Sequence, residues 1–492
     1  MQQILISISF VIILLLVAFL TWRLYRVNKY SLALVLIVAL GLGLRIMVSL
    51  DTYVHPWDER YHALVAKNMI QSPLEPKLYK EVPLPYDPNN WSRNHVWLHK
   101  QPMTLWMMAA SMKVFGVSEF SIRIPSILLS TLAVYLTFLI GAQLFGKRIG
   151  LLAAFLHSIH GLSIELTSGR IATDHVDLIF MCLIELAIFF AIRHAFSSEL
   201  WKAILTGFVT GLAILVKWLP ALIVFVIWFL LILSKSQKPL RKSMVDISLG
   251  VFICFITFIP WQAYTFLKFP DEFRLEQTYT ALHITEALED HEGPIYYHFD
   301  KLRMQYGEII YIPLLWFFYL IIRRKRDLKL WAIGLWFLVP YVFFTIAATK
   351  MPAYTVFAAP TIFIIAALFW WMLFLQRNNL KRKWLGYIVL GLLILLPIRY
   401  SLERVKPFQQ IDPIWSLEIK ELSKINTEHS VLFNVDRPIE LMFYSDGLAY
   451  DNIPSLDEVE KCQELGYKVI IMDDGNLPEE LKEFPGVTYL ML

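Results

Sequence analysis

The dominant pattern along this chain is a series of apolar runs of about twenty residues, separated by short polar connections. An α-helix of that length crosses the hydrocarbon core of a bilayer. The pattern therefore predicts a polytopic α-helical membrane protein with about 12 transmembrane helices. The predicted spans begin near residues 4, 31, 121, 148, 175, 202, 219, 247, 308, 330, 355 and 385.

The connections between the spans differ in charge, and this difference predicts the topology. Lys and Arg concentrate in the cytoplasmic connections of membrane proteins. Alternate connections are basic here, so we assign these six to the cytoplasm and both termini to the outer side. The basic connections carry Arg23/Arg26/Lys29, Lys147/Arg148, Arg193/Lys202, Lys235/Lys238/Arg241/Lys242, Arg323/Arg324/Lys325/Arg326/Lys329 and Arg377/Lys381/Arg382/Lys383.

The first apolar run, MQQILISISFVIILLLVAFL, has no basic residue in front of it. A cleaved secretory signal begins with a positively charged segment. Because the positive charges follow the run instead, the sequence predicts an uncleaved helix at the N-terminus.

Two of the predicted outer loops are long, covering residues 51–120 and 268–307, and loops of this length tend to be functional. In the first loop, apolar residues recur at helical spacing, which predicts an amphipathic surface helix. These residues are Tyr61, Leu64, Val65 and Met69. The Pro-rich stretch that follows is expected to be irregular, and a second short helix is predicted after Pro102.

After about residue 402 the pattern changes to short apolar strands that alternate with helical stretches. The strands read VLFNV, KVIIMDD and VTYLML, and one helical stretch reads SLDEVEKCQELG. This alternation predicts a small α/β domain over residues 403–492 on the outer side, following a transmembrane domain over residues 1–402. The C-terminal segment has no Gly-rich phosphate-binding loop.

Composition agrees with a membrane protein. Of the 492 residues, 57% are hydrophobic and 17% are charged, with a mean hydropathy of +0.54; soluble domains carry about 25% charged residues. The net charge of +4 says little by itself, and no nucleic-acid partner is expected. The three cysteines, Cys182, Cys254 and Cys462, form no disulfide framework, and neither a CxxC motif nor a His/Cys cluster occurs.

Ionisable residues at a membrane are functional candidates, especially where they gather on one side. In this chain they gather in the predicted outer connections. The candidates there are Asp58, Glu59, His99, Lys100, Glu165, Arg170, Asp174, His175, Asp177, His291 and Lys350.

Several of these residues, and some of their neighbours, also have an interpretation without chemistry. Asp58 and Asp174 precede predicted helices and are suited to capping them. Other residues suit interfacial snorkelling, a solvated loop or an aromatic belt. These are Lys100, Lys217, Lys350, His291, His298, Tyr296 and Tyr297.

Together the residues predict acid–base chemistry at one membrane face. A carboxylate within hydrogen-bond reach of a hydroxyl removes its proton. Lys or Arg neutralises the charge of a phosphate leaving group. A donor with a lipid tail needs a site at the bilayer surface, where these loops are predicted to lie.

These segments resemble the multi-spanning glycosyltransferases of the GT-C superfamily. The likeness is to bacterial relatives of protein O-mannosyltransferases and to the aminoarabinose transferases of lipid A. It covers roughly residues 31–375 and rests on six motifs in the family's order. They read WDERYHALVAKNM, HKQPMTLW, FGVSEFSIRIPS, GRIATDHVDL, HEGPIYYHF and TKMPAYTVFAAP.

The resemblance implies a polyprenyl-phosphate sugar donor and a lipid, glycan or protein acceptor. It also implies a bacterial inner-membrane protein whose active site and C-terminal domain face the periplasm. By position, Asp58 is implied as the general base and Asp174 as the second carboxylate. The implied donor-phosphate ligands are Lys100, Arg170 and Lys350, and the implied site-lining residues are Glu59, His175 and Tyr297.

The chain departs from the family pattern at several positions. Gln101 replaces the first proline of the family's KPP, and His99 stands where the aminoarabinose enzymes often have Glu. His291 falls where those enzymes have His. A His99/His291 pair suits a divalent metal such as zinc, although two ligands do not complete a site. The run Ile4–Leu20 is an addition before the family's usual first helix.

Three hypotheses follow for the whole chain. The leading one is a sugar transferase with an inverting mechanism. The alternative is a membrane transporter or lipid flippase, which predicts polar residues near the midplane and repeated helices; Glu185 alone fits that pattern. A structural scaffold leaves the clustered carboxylates unexplained. The sequence identifies neither the sugar nor the acceptor.

Overall fold

The computed structural model of the protein describes residues 2–235, 239–379, 381–405 and 412–491. The helices in chain order are α1 (Gln2–Arg26), α2 (Tyr30–Val48), α3 (Asp58–Met69), α4 (Pro102–Phe115), α5 (Glu119–Phe145), α6 (Lys147–Ser158), α7 (Gly161–Thr167), α8 (Asp174–Ser197), α9 (Leu200–Lys217), α10 (Ile223–Lys235), α11 (Leu240–Lys268), α12 (Pro270–Thr285), α13 (Tyr297–Tyr306), α14 (Tyr311–Arg323), α15 (Leu328–Ile346), α16 (Ala359–Gln376), α17 (Lys383–Val405), α18 (Ile414–Ser423), α19 (Pro438–Tyr444) and α20 (Leu456–Glu464). The strands are β1 (Ser430–Phe433), β2 (Leu448–Ala449), β3 (Lys468–Asp473) and β4 (Val487–Met491).

Within the described residues, eight helical segments are long and apolar enough to cross a membrane. The number rises to ten if two pairs of helices, bent by 53° and 117°, each count as one span. A shorter apolar helix covers Leu219–Ser234. The predicted polytopic helical fold is confirmed, whereas the count of about 12 spans is not. Lys238, in the fourth predicted basic connection, lies outside the described residues.

The chain divides into two compact units. The helical unit contains Met1–Leu50, Arg123–Leu267 and Gln277–Lys406. The sheet unit contains Asp51–Ile122, Lys268–Glu276 and Pro407–Leu492. The first predicted outer loop therefore packs in one unit with the C-terminal segment. The predicted division at residue 402 stays a prediction.

The C-terminal strands form a parallel sheet in the order β2-β1-β3-β4. The central strand β1 is buried along its whole length, as expected where helices cover both faces of a parallel sheet. Strands β1, β3 and β4 confirm the three predicted strands to within two residues. The two-residue β2 was not predicted, because so short a segment carries no periodicity. Helix α20 follows Ser455, which forms a capping box with Glu458.

Both predicted helices of the first loop are present as α3 and α4. The apolar face of α3 is buried, as its spacing predicted, in one core with α4 and the C-terminal strands. Between these two helices, residues 70–101 have neither helix nor strand, apart from one β-bridge between Lys77 and Val96. The Pro-rich segment is thus irregular, as predicted.

The helical unit contains a close crossing of α9 and α11, made by small residues. Gly207 and Gly211 lie four residues apart and therefore on one face of α9. A Cβ atom at Gly207 would lie 2.0 Å from the carbonyl oxygen of Gly250 in α11. Small residues at this spacing let helix backbones approach closely, which stabilises membrane helix pairs through van der Waals contact.

We expect Gly207→Ala to lower the free energy of unfolding by about 1–3 kcal/mol, since the added methyl group overpacks this crossing. The thermal midpoint of the detergent-solubilised protein measures the effect. Gly43→Ala is the matched control, because a Cβ at Gly43 meets no atom within 4 Å. Equal midpoints for the two variants would contradict the proposed crossing.

Candidate active site

The sheet unit brings Asp58 and Lys100 together. Asp58 is the first residue of α3, and Lys100 lies two residues before α4 begins. The Lys100 Nζ lies 3.7 Å from Oδ2 of Asp58, and the side chains are 24% and 22% exposed. This distance suits an ion pair and is longer than a direct hydrogen bond. A carboxylate and an ammonium are thus adjacent at an accessible position.

The structure does not place Asp58 at the N-cap position of α3. Trp57 occupies the N-cap position of α3, and no side chain caps this helix. Asp58 is therefore not the N-cap residue that the capping interpretation requires. Its ion pair with Lys100 likewise gives that lysine a protein partner, which simple snorkelling would not require.

The neighbouring carboxylate, Glu59, has a different environment. Glu59 is fully buried. Its Oε2 accepts a hydrogen bond from the backbone N–H of His55 at 2.6 Å. The same oxygen lies 2.7 Å from the His55 Nδ1. The other ring nitrogen of His55 lies 3.2 Å from Asp51. Glu59 thus holds the turn that leads into α3, and its predicted role in lining the site stays a prediction.

His99 belongs to an aromatic stack within the same unit. Its ring lies parallel to Trp91, with ring centres 4.4 Å apart. Its Nδ1 lies 3.1 Å from Oε1 of Glu276. The residue before Lys100 is therefore fixed by a ring on one side and by a carboxylate from the second long loop.

No group of three or more His, Cys, Asp or Glu side chains in the described part of the chain is placed to hold a metal ion. His291 lies in the helical unit, where its carbonyl accepts a hydrogen bond from the Lys350 N–H at 2.9 Å. The predicted metal site at His99 and His291 stays a prediction.

In the helical unit, Asp174 lies at a strained helix start. Thr173 and Asp174 have φ angles of 69° and 31°. Positive φ costs a residue other than glycine of the order of 1–3 kcal/mol, and such strain concentrates at functional sites. Asp174 is fully buried, and its Oδ1 accepts a long bond of 3.4 Å from the Val176 N–H. The backbone therefore fixes this carboxylate at the first turn of α8.

His175 and Arg170 flank Asp174 and are also buried. His175 Nδ1 lies 2.8 Å from the hydroxyl oxygen of Ser126, which also bonds the Thr167 carbonyl at 2.9 Å. Arg170 donates to the backbone carbonyl of Arg404 at 3.4 Å. These contacts tie the segment before α8 to its neighbours, and the predicted site roles of both residues stay predictions.

One buried ion pair near this segment was not predicted from the sequence. Asp177 is fully buried and pairs with Lys217, the last residue of α9. The Lys217 ammonium lies 4.6 Å from the ring centre of Tyr354, within cation–π range. Trp218, which follows Lys217, has a φ of 68°. The sequence signal is a lysine followed by Trp-Leu-Pro at the end of an apolar run, a pattern that also suits an interfacial snorkelling lysine.

We expect Lys217→Met to lower the free energy of unfolding by about 3 kcal/mol, since it leaves Asp177 buried without its cation. Thermal unfolding in detergent measures this loss. The double variant Lys217→Met/Asp177→Asn should recover part of it. Lys424→Met, which removes a pair that is about 70% exposed on both sides, should change stability by less than about 1 kcal/mol. Equal losses in both lysine variants would refute a buried pair.

Lys350 and the second long loop meet within the helical unit. The Lys350 ammonium donates to the carbonyls of Phe344 at 3.1 Å, Thr345 at 2.6 Å and Ala347 at 2.5 Å. It therefore binds the last carbonyls of α15, which have no partners within the helix. Burial lowers the pKa of this ammonium below its usual value. In this state all three N–H groups are engaged, so Lys350 serves as a helix cap rather than a snorkelling residue.

An open cavity of about 810 Å³ adjoins Lys350. Its walls come from the second long loop at 287–295 and from the end of α15 at 345–350. A Cβ at Gly293 would lie 2.7 Å from the Tyr297 ring and 3.1 Å from the Lys350 side chain. A larger residue would therefore displace the Tyr297 ring where the motifs HEGPIYYHF and TKMPAYTVFAAP meet.

Comparisons with known proteins agree with the resemblance. Residues 99–264, about a third of the chain, match the family model described as dolichyl-phosphate-mannose-protein mannosyltransferase. An uncharacterized protein of Aquifex aeolicus is 26% identical over 349 residues, which is 69% of this chain and 63% of that protein. An undecaprenyl phosphate-alpha-4-amino-4-deoxy-L-arabinose arabinosyl transferase of Pseudomonas fluorescens is 26% identical over 54% of this chain and 48% of its own length. The chain therefore matches less than two thirds of these relatives' lengths.

Solved structures show the same fold. The crystal structure of ArnT from Cupriavidus metallidurans bound to undecaprenyl phosphate matches with a TM-score of 0.59 at 15% identity, covering 88% of this chain and 87% of that one. An oligosaccharyltransferase from Archaeoglobus fulgidus matches with a TM-score of 0.56 at 12% identity, covering 88% and 65%. The predicted resemblance to GT-C glycosyltransferases and the GT-C-like fold are thereby confirmed. The chain is a multi-pass membrane protein.

Proposed function

We propose that this protein transfers a sugar from a polyprenyl-phosphate donor to a lipid, glycan or protein acceptor. The observation that carries the proposal is the accessible pair of Asp58 and Lys100, with an acid–base group and a cation 3.7 Å apart. The names of its relatives support a lipid-phosphate sugar donor. The ArnT structure bound to undecaprenyl phosphate shares this chain's fold, which also supports the proposal.

The proposed step is a single displacement at the anomeric carbon. Asp58 removes the proton from an acceptor hydroxyl or phosphate as the acceptor oxygen bonds to that carbon. The bond from the anomeric carbon to the phosphate oxygen breaks, and polyprenyl phosphate leaves with the electron pair. Lys100 neutralises the charge that develops on this oxygen. The configuration inverts, and no covalent enzyme intermediate is required.

The remaining roles are divided among residues of the helical unit. Asp174, held rigidly at the start of α8, orients the acceptor. Arg170 contributes positive charge toward the donor phosphate. Lys350 contributes to phosphate binding only if it exchanges a carbonyl of α15 for a phosphate oxygen, because its N–H groups are engaged.

The proposed location is the bacterial inner membrane, with the active site and the C-terminal domain in the periplasm. The charge alternation of the connections supports this orientation. A polyprenyl tail in the outer leaflet would bring the donor's sugar phosphate to the level of the outer loops.

The test is turnover of defined donors. Membranes containing the protein are incubated with labelled polyprenyl-phosphate sugars in a panel, together with an envelope extract that supplies acceptors. Sugar transfer with release of polyprenyl phosphate is the expected result and identifies the donor. A folded protein that turns over none of the panel would refute the proposal.

A transporter or flippase is not favoured by the comparisons, which lead to transferases. Glu185, the residue that suggested this alternative, is fully buried and accepts a hydrogen bond from Thr137 at 3.1 Å. His157 lies 3.8 Å away. This buried contact joins α5, α6 and α8, as polar groups between membrane helices commonly do.

A further inference from the structure

The short helix α19 of the C-terminal segment packs against α3, the helix that begins with Asp58. Both helices belong to the sheet unit. Arg60 is in the first turn of α3, and Glu440 is in the first turn of α19. The Arg60 Nη1 lies 3.1 Å from Oε1 of Glu440. Lys67, in the last turn of α3, bonds the carbonyl groups at the end of α19. The two helices are thus joined at both ends.

Lys67 caps a helix from a distant part of the chain. Its Nζ donates to the carbonyls of Met442 at 3.0 Å and Phe443 at 3.1 Å, and also to the carbonyl of Ser445. The last carbonyls of a helix have no partner within it and carry partial negative charge. A lysine ammonium satisfies both needs, and Asp446 lies 3.6 Å away as a further anion.

Glu440 forms the contact at the other end. It is fully buried, and its Oε1 accepts from Arg60 at 3.1 Å and from Arg437 at 3.2 Å. The Arg437 guanidinium lies 4.2 Å from the ring centre of Trp415. A buried carboxylate shared by two arginines has little freedom to move, so this contact holds the first turn of α3.

These contacts occupy the side of α3 opposite Asp58. Successive helical residues are rotated by about 100°. Arg60 therefore projects about 200° and Lys67 about 180° away from the direction of Asp58. The C-terminal segment holds the back of α3, and the Asp58 side of the helix is the one that meets Lys100.

The segment leading into α3 is held by the same C-terminal helix. The Tyr444 hydroxyl accepts a hydrogen bond from the Val54 N–H at 3.0 Å and donates to Glu119 at 2.9 Å. Lys420, in α18, lies 3.1 Å from Glu119 and bonds the Thr52 carbonyl. Both the entry and the back of the Asp58 helix are thus fixed by residues beyond 410.

We propose that the C-terminal α/β segment is a positioning module for Asp58, with Lys67, Glu440 and Tyr444 as positioning residues. The proposal rests on the proposed transferase function. The module sets where the carboxylate stands relative to Lys100 and makes no contact with the reacting atoms. A small displacement of a catalytic group lowers the rate strongly while substrate binding is retained.

The experiment compares full-length variants in liposomes. Lys67→Met keeps the length of the side chain but removes its hydrogen bonds, whereas Lys67→Arg keeps the charge. Tyr444→Phe removes one hydroxyl and covers the case in which Lys67→Met fails to fold. Lys482→Met is the control, since Lys482 lies on the same segment and pairs with Glu479 on its surface. Donor kcat and KM are measured, with hydrogen exchange of the peptide covering residues 58–69.

We expect Lys67→Met and Tyr444→Phe to lower kcat at least about tenfold, with donor KM changed by less than about twofold. The rate of hydrogen exchange in residues 58–69 should rise in Lys67→Met. Lys67→Arg should recover most of the wild-type kcat. Lys482→Met should have the wild-type kcat, KM and hydrogen exchange. A wild-type kcat in both test variants, or unchanged exchange in Lys67→Met, would overturn the inference.

Failure of the proposed function gives a different result. Wild-type protein would then be inactive with every donor, and the positioning role of the C-terminal segment would be refuted together with the transferase function. The exchange measurement would still show whether Lys67 holds α3. An active wild type with equally active Lys67→Met and Tyr444→Phe variants would instead refute the positioning role alone.

Discussion

Replacing Asp58 with asparagine is expected to lower the rate of sugar transfer about 10³-fold, within the 10²- to 10⁴-fold range of a positioned general base. Asparagine has nearly the same shape and still accepts a hydrogen bond, but it cannot take the acceptor's proton. Initial rates of polyprenyl phosphate release in proteoliposomes measure the effect. The protein should remain folded, because asparagine keeps the size of the side chain and still accepts a hydrogen bond.

Asp87→Asn is the matched control for this experiment. Asp87 is an exposed carboxylate in the same loop, and its Oδ1 accepts a hydrogen bond from the Asn89 N–H. It should retain the wild-type rate. If the folded Asp58→Asn variant kept more than about a tenth of the wild-type rate, Asp58 could not be the general base.

Replacing Lys100 with methionine is expected to lower kcat/KM for the donor about 10²- to 10³-fold, as removal of one charge-stabilising donor does in other enzymes. Methionine keeps the length of the side chain but leaves the departing phosphate without its cation. Lys100→Arg keeps the charge and should recover part of the rate. Because the phosphate is charged in both the ground state and the transition state, KM and kcat should both change.

Lys113→Met serves as the control, since Lys113 is an exposed lysine on α4 of the same loop. It should leave donor kinetics unchanged. A Lys100→Met variant with wild-type kcat/KM would show that another cation binds the leaving phosphate. Lys217 would be tested next, since it lies against Asp177 and Tyr354 in the helical unit.

The engaged state of Lys350 changes how the family motif TKMPAYTVFAAP is interpreted. The sequence suggested a phosphate ligand or an interfacial lysine. In the structure the ammonium caps α15, and the backbone of the same segment bonds the second long loop at Ile284, His283 and His291. The backbone of residues 348–350 therefore holds the loop that forms the cavity of about 810 Å³.

The sequence by itself determined the elements that depend on local pattern. Apolar runs of sufficient length require membrane helices, because backbone polar groups in lipid must be paired within the segment. Short continuous apolar runs likewise predicted β1 and β3, and helical spacing predicted the buried face of α3. Motif order placed Asp58, Lys100 and Asp174 among the candidates before any contact was known.

The tertiary structure alone decided which of these side chains meet. Asp58 pairs with Lys100 and Lys217 pairs with Asp177 because separate helices pack together, and no local periodicity encodes such contacts. The same holds for Lys67, an ordinary surface lysine in the sequence, which caps a helix nearly four hundred residues away. Long-range contacts are set by how apolar faces pack, so only the folded chain shows which charges become partners.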